Sequence, residues 1–126
     1  GYVVMMQTHT MDLSGGAIAA GATNMVIPAN SKIITVVVDL STAANVTTNI
    51  SVGDTVGGAT TILNTLASGT TAGLKTITTQ GGGTGEWANT GTADLKLTVT
   101  GSAATTAGTA VITVMYAQAY NAAIQP

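Results

Sequence analysis

Residues 26–40 read VIPANSKIITVVVDL. A Pro-Ala-Asn-Ser-Lys corner leads into two isoleucines, a threonine and three consecutive valines, closed by Asp39. β-Branched side chains lose rotational freedom in a helix and fit a pleated surface, so the stretch predicts a strand over 32–40. Pro28 has no amide donor and a fixed φ, which suits a corner entering the strand. Strict alternation puts Ile33, Thr35, Val37 and Asp39 on one face and Lys32, Ile34, Val36, Val38 and Leu40 on the other. One face is apolar beyond Lys32 and the other only partly polar. The strand is therefore expected inside a sandwich, with Lys32 and Asp39 as charged terminators of an aggregation-prone window.

The rest of the chain has the same character. Its 126 residues include 25 Thr, 20 Ala and 16 Gly, with no Phe and only 6% charged residues. This length predicts one domain, 1–126, built mainly of β structure. Alanine clusters with Gly, Thr, Ser and Asn, as in GGAIAAGAT and GSAATTAGTA, without helical period, so these stretches read as turns and strand edges. Turn clusters divide the chain into about eight antiparallel strands at the spacing of a sandwich or barrel: 2–8, 24–28, 32–40, 47–52, 60–66, 73–79, 93–100 and 109–118. A ninth is expected near 17–21 or 86–89. Residues 1–16 read as either an extended N-terminal arm or a first strand.

Two further strands show opposite patterns. In ADLKLTVTG, Leu95, Leu97 and Val99 alternate with Asp94, Lys96, Thr98 and Thr100, predicting one face on the core and one in water. In TAVITVMYAQAY, Ala110, Ile112, Val114 and Tyr116 alternate with Val111, Thr113, Met115 and Ala117. Both faces are nearly apolar, so this strand is expected to be covered twice.

The composition argues against several functions. Three Lys against five acidic residues give a net charge of -2, with no basic cluster to neutralise phosphates, so no nucleic-acid partner is expected. No segment approaches the roughly 20 apolar residues of a spanning helix, so no membrane partner is expected. Without Cys and with one His, ordinary zinc sites lack ligands. Asp12, Asp39, Asp54, Glu86 and Asp94 lack calcium-loop spacing. Asp54, in SVGDTVGG, is the best single acidic candidate and reads as a turn residue bonding its own backbone.

No catalytic motif appears either. His9, Asp12 and Ser14 lie too close along one segment to converge as a triad, and QGGGTGEW lacks the pattern of a phosphate cradle. Sequons at Asn45 and Asn49 match what a Thr- and Asn-rich chain produces by chance. The expectation is a non-enzyme with no metal, cofactor or small-molecule substrate. Trp87, beside the Gly-rich loop of residues 80–91, reads as an anchor for that loop or as a contact residue. So few charges leave little protection against association, so much of the surface is expected to be buried against other subunits.

Four segments carry a resemblance: the IPANS corner (27–31), VDLSTA (38–43), SVGD (51–54) and the closing TAGTAVITVMY (106–116). Together they resemble small β-rich virion proteins of tailed bacteriophages, over about residues 24–118. The first sixteen residues fall outside the match. The resemblance implies a jelly-roll-like β-sandwich that acts as a capsid decoration, or cement, protein. It implies a place on the outer capsid surface of the virion, a major capsid protein as partner, bridging of neighbouring capsomers, and a homo-oligomer, with a trimer favoured. Burial of apolar surface between subunits contributes about 25 cal/mol per Å², and symmetry repeats each contact.

Candidate interface residues are Tyr2, Val3, Val4, Met5 and Met6 at the amino end, Trp87 in the loop, and Val114, Met115, Tyr116 and Tyr120 at the close, because Met and Tyr adapt well to interfaces. Two other readings stand beside this one: a tail, collar or fibre component with receptor or glycan contacts through Trp87, and a secreted filament subunit assembled by strand insertion.

Overall fold

A computed structural model of the chain describes residues 2–76, 88–89, 92–102 and 106–119. These residues form nine strands: β1 (Tyr2–Asp12), β2 (Ile18–Ile27), β3 (Ser31–Thr42), β4 (Asn49–Asp54), β5 (Gly58–Ala67), β6 (Gly73–Thr76), β7 (Ala88–Asn89), β8 (Leu95–Gly101) and β9 (Thr109–Ala119). A single 3₁₀ turn, Leu13–Gly15, joins β1 to β2.

Two antiparallel sheets result. The first has the order β1-β9-β3-β6, with the short β7 also pairing β3; the second has the order β2-β8-β4-β5. With β7 set aside, the eight long strands pass repeatedly from one sheet to the other, and β1 and β2 form edges on the same side. This is the winding of a jelly roll, in which two four-stranded sheets enclose one core. Met11, Leu13, Met25, Ile27, Ile33, Val36, Val38, Leu40, Ile50, Val52, Leu63, Leu66, Leu97, Ile112 and Val114 are all buried between the sheets.

The stretch 26–40 forms the corner and strand expected of it, with two corrections. Pro28 lies between β2 and β3, and Asn30 takes a left-handed φ of 60° that turns the chain. However, β3 does not alternate strictly. Its partners on β9 run Ile33↔Tyr116 and then Thr35↔Met115, so Ile34 is an extra residue. This bulge reverses the parity of the strand: Ser31 and Ile33 face the core before it, and Val36, Val38 and Leu40 after it. The predicted faces are therefore right beyond the bulge and inverted before it. Asp39 does not end the strand, which continues to Thr42; it is half-buried opposite Val111.

The N-terminal segment is a first strand, since Tyr2–Asp12 pairs with β9 along its whole length. The expected strands near 17–21 and at 24–28 are one strand, β2, whose ladder with β8 is interrupted by register shifts. Of the segment 73–79, Gly73–Thr76 is strand and the remainder lies outside the described residues. Strand β9 is covered less completely than its sequence suggests. Its inner residues Ala110, Ile112, Val114 and Tyr116 are buried; on the outer face Ala117 is buried as well, whereas Val111, Thr113 and Met115 are half-buried.

Strand β8 departs in the other direction, because Thr98 on its expected water face is buried. The cause lies in the neighbouring hairpin. Strand β4 advances two residues from Val52 to Asp54 while β5 spans five, from Gly58 to Leu63. The surplus folds back over Gly53, the register partner of Thr98; a Cβ on Gly53 would lie 2.0 Å from the Gly58 carbonyl oxygen.

Candidate functional site

The two ends of the sandwich are built differently. At one end lie the connections β1–β2, β3–β4, β5–β6 and β8–β9, and they are fastened to one another. The Leu13 amide donates to the Gly108 carbonyl at 3.0 Å, Ser68 to Thr48 at 2.9 Å and Ser102 to Asn49 at 3.1 Å. The Asn45 amide group donates to the Thr106 hydroxyl at 2.8 Å and accepts from the Thr106 backbone at 3.0 Å. Asn45, one of the two sequon residues, is thus a loop clasp. Leu13, Ala44, Thr48 and Ser68 are buried here.

At the opposite end, β1 begins and β9 finishes, because Tyr2 pairs with Ala119. The β2–β3 corner and the β4–β5 turn belong to this end as well. Two hydrogen bonds hold them to the start of β8: the Ala29 amide donates to the Asp94 side-chain carboxylate at 3.0 Å, and the Thr55 amide to the Lys96 carbonyl at 3.1 Å. Most of the large exposed apolar side chains gather here. Val3, Val4, Met5, Met6, Val26 and Val56 are between 36% and 88% exposed. Leu74 on β6 and Val46 in the β3–β4 connection are the exposed large hydrophobics elsewhere among the described residues.

Four consecutive exposed residues on one strand mean that both its faces are open. Along β1, Met5 and Gln7 pair with Tyr116 and Val114 and share the inner face, while Val4 and Met6 pair with Ala117 and Met115 on the outer face. The change from open to closed occurs at Gln7. Its side-chain amide accepts from the Val26 amide at 2.9 Å and donates to the Val26 carbonyl, and it also donates to the Tyr116 hydroxyl at 3.2 Å. A glutamine here imitates one peptide unit of a neighbouring strand and caps the β2 edge where it would otherwise be bare. Before Gln7, the β1 edge extends past this clasp.

Asp54 organises the β4–β5 turn. Its carboxylate accepts from the Val56 amide at 2.9 Å, from the Gly57 amide and from the Thr61 hydroxyl at 2.6 Å. Burial disfavours its charged form, but the bonds from Thr61, Gly57 and Val56 together outweigh it and lower the pKa. The carboxylate is the turn residue its sequence suggests, and it holds Val56 outward at 88% exposure. Asp12 serves similarly: Ser14 donates to it through its hydroxyl at 2.6 Å and its amide at 2.9 Å, and these two bonds lower its pKa. Asp12 and Ser14 thus engage each other at the 3₁₀ turn, whereas His9 lies back along β1 opposite Ile112.

The interface candidates separate under this geometry. Val3, Val4, Met5 and Met6 are exposed and adjoin one another, with Tyr2 continuing the same strand. Met115 is half-buried beside Met6. Val114 and Tyr116 belong to the core, at 0% and 3% exposure, because their face of β9 points at the second sheet. Trp87 and Tyr120 lie outside the described residues. Val26 and Val56 were not singled out from sequence, since the exposure of a valine depends on what the other strands leave uncovered.

No protein-family model and no curated protein matches the sequence. The fold does have likenesses. A chain in the capsid asymmetric unit of cyanophage Pam1 is similar with a TM-score of 0.64 at 13% identity, covering 94% of this chain and 87% of that one. A chain in the acid-stable capsid structure of the Helicobacter pylori bacteriophage KHP30 is similar with a TM-score of 0.57 at 15% identity, covering 91% and 87%. What this chain shares with both is the fold: a small all-β sandwich of two antiparallel sheets, matched over nearly its whole length.

Proposed function

We infer that the chain is a structural protein of a phage virion, a decoration protein that sits on the outside of the capsid shell and stabilises it by bridging neighbouring capsomers. The observation that carries this reading is the unequal construction of the two ends, on a fold shared with chains of phage capsids. Among the described residues, the connections of one end are tied to one another, and the other end presents exposed apolar side chains that a partner would bury. The size of the matched chain supports an accessory role. Of 126 residues, 94% is about 118, and if these make up 87% of the Pam1 chain, that chain has about 136 residues. The likeness is thus to a small chain as a whole and not to a piece of a large one.

Such a protein works by contact alone. An apolar patch contributes roughly 25 cal/mol per Å² when a partner covers it, and a shell repeats the contact at every symmetry-related position. The major capsid protein is the partner this role requires, and a homo-oligomer, with a trimer favoured, would let one unit reach several capsomers. Cryo-electron microscopy of the source particle tests the reading. Copies in fixed stoichiometry on the outer shell are expected, and density restricted to the tail would overturn it.

A further inference from the structure

We propose that the open edge of β1, residues 2–6, pairs with the same edge of a second copy of this chain, antiparallel about a twofold axis through Val4. The inference concerns self-association and holds whether or not the particle role does.

An edge strand presents a row of backbone donors and acceptors, and the ligand that satisfies such a row is another extended strand. Strand β1 is an edge of the first sheet; at Gln7 its side chain reaches across to the backbone of Val26 on β2, and residues 2–6 lie before that tie. The residues there carry no charge, and Val3, Val4, Met5 and Met6 expose apolar side chains on both faces.

The geometry then selects the register. In an antiparallel pair, residues directly opposite share a face, and a twofold axis normal to the sheet leaves each face unchanged. The axis must therefore pass through a residue. Centring on Val4 opposes Val4 with its own mate, Val3 with Met5, and Tyr2 with Met6, so every position of the open run is used. Moving the centre to Val3 would oppose only residues 2–4 of that run with one another and leave Met5 and Met6 outside it. Moving it to Met5 would bring the clasped Gln7 into the joint.

Electrostatics permits a copy of this chain as occupant. Among the described residues, the charge nearest Val4 within the first sheet is Lys32, two strands inward through Ala117. Across the joint the two Lys32 residues would be separated by five strand spacings, roughly 24 Å, well beyond the Debye length of about 8 Å. On the outer face the half-buried Met115 beside Met6 extends the apolar surface on each side of the joint.

The contact is small. Five residues fall short of the roughly 20–30 per side of a standard interface, so the dimer is weak in dilute solution and forms where copies are held close together. It joins two copies and not three, so it links neighbouring units and does not by itself build a trimer.

Sedimentation of the full chain from about 10 µM to about 1 mM tests this, in the range where so small an interface dimerises. A concentration-dependent species twice the mass of the smallest one is expected. Val4→Lys and Met6→Lys should each raise its dissociation constant at least tenfold with the circular dichroism spectrum unchanged, and Val56→Lys should leave it within twofold. The register has its own probe, because the chain has no cysteine. Opposed residues of an antiparallel pair lie about 4.5–5.5 Å apart at Cα, within disulfide range, so Val4→Cys should crosslink at least tenfold faster than Val56→Cys. An unchanged mass up to 1 mM, association insensitive to both lysine variants, equal crosslinking rates, or crosslinking of Val4→Cys on particles to a shell protein in place of its own copy would each overturn the proposal.

Discussion

Asp54 and Gly53 are adjacent, and both serve the β4–β5 turn. Asp54 supplies one carboxylate to three donors, in a site that is 8% exposed. Asp54→Ala removes the acceptor and strands those donors, and the expected cost is about 1–3 kcal/mol, seen as a fall in Tm of roughly 5–10 °C. The pH dependence has a fixed sign. The folded pKa lies below the unfolded value near 3.9, so the contribution is fully present above that value and is lost as pH falls through the folded pKa. Acid titration of stability below about pH 4 should therefore be steeper in the wild type than in Asp54→Asn; equal slopes would remove this carboxylate from the account. At Gly53 the constraint is steric. An added Cβ would lie 2.4 Å from the Ala59 carbonyl carbon and 2.6 Å from its Cα, and backbone cannot swing away as a side chain can. Gly53→Ala should destabilise by about 3 kcal/mol or more in chemical denaturation. Gly101→Ala, whose Cβ would meet side-chain methyls of Thr48 at 3.1 Å and Met11 at 3.4 Å, should cost clearly less.

At the scale of the element, β3 is the informative strand. Its bulge at Ile34 lets Ser31 and Ile33 face the core on one side and Val36, Val38 and Leu40 on the other. Deleting Ile34 would turn that segment into a regular ladder with each of these residues still on its own face. The variant should fold, losing no more than about 2 kcal/mol. Deleting Val37 removes one residue where the ladder is already regular, and a one-residue slip exchanges the faces of everything beyond it. That variant should lose its cooperative thermal transition. If both deletions behave alike, the bulge is not what sets the register. The individual strands were legible in the sequence for a physical reason: β-branched runs between Gly, Pro, Asn and Ser clusters describe a local preference, and 32–40, 60–66 and 109–118 each coincide with a strand to within three residues at either end. The bulges were not legible, because an extra residue is defined against a partner strand and not within its own.

For the molecule as a whole, the clasp of Gln7 on Val26 ties the first sheet to the second at their shared edge. Gln7→Leu keeps the size of the side chain and removes its amide. The Val26 amide, which donates to Gln7 in the wild type, should then exchange with deuterium at least tenfold faster, with a stability loss of about 1 kcal/mol. Unchanged exchange would mean that the tie is carried by other contacts. The same scale explains which candidate residues were visible. That Tyr2 to Met6 belong together was readable, since they form one uncharged apolar run. Their exposure was not readable, nor was the contrast with Val114 and Tyr116, whose residue types are just as suited to a surface contact. Burial is a property of what lies opposite, and for β9 that is the second sheet, assembled from residues 18–27, 49–54, 58–67 and 95–101. The sequence by itself determined an all-β chain, the approximate position of its strands, the Pro28 corner and the turn role of Asp54, because each follows from interactions among residues close along the chain. Tertiary structure alone decided the pairing order, the parity of β3, the fastening of one end by four connections and the openness of the other, because these depend on contacts between segments up to about a hundred residues apart in sequence.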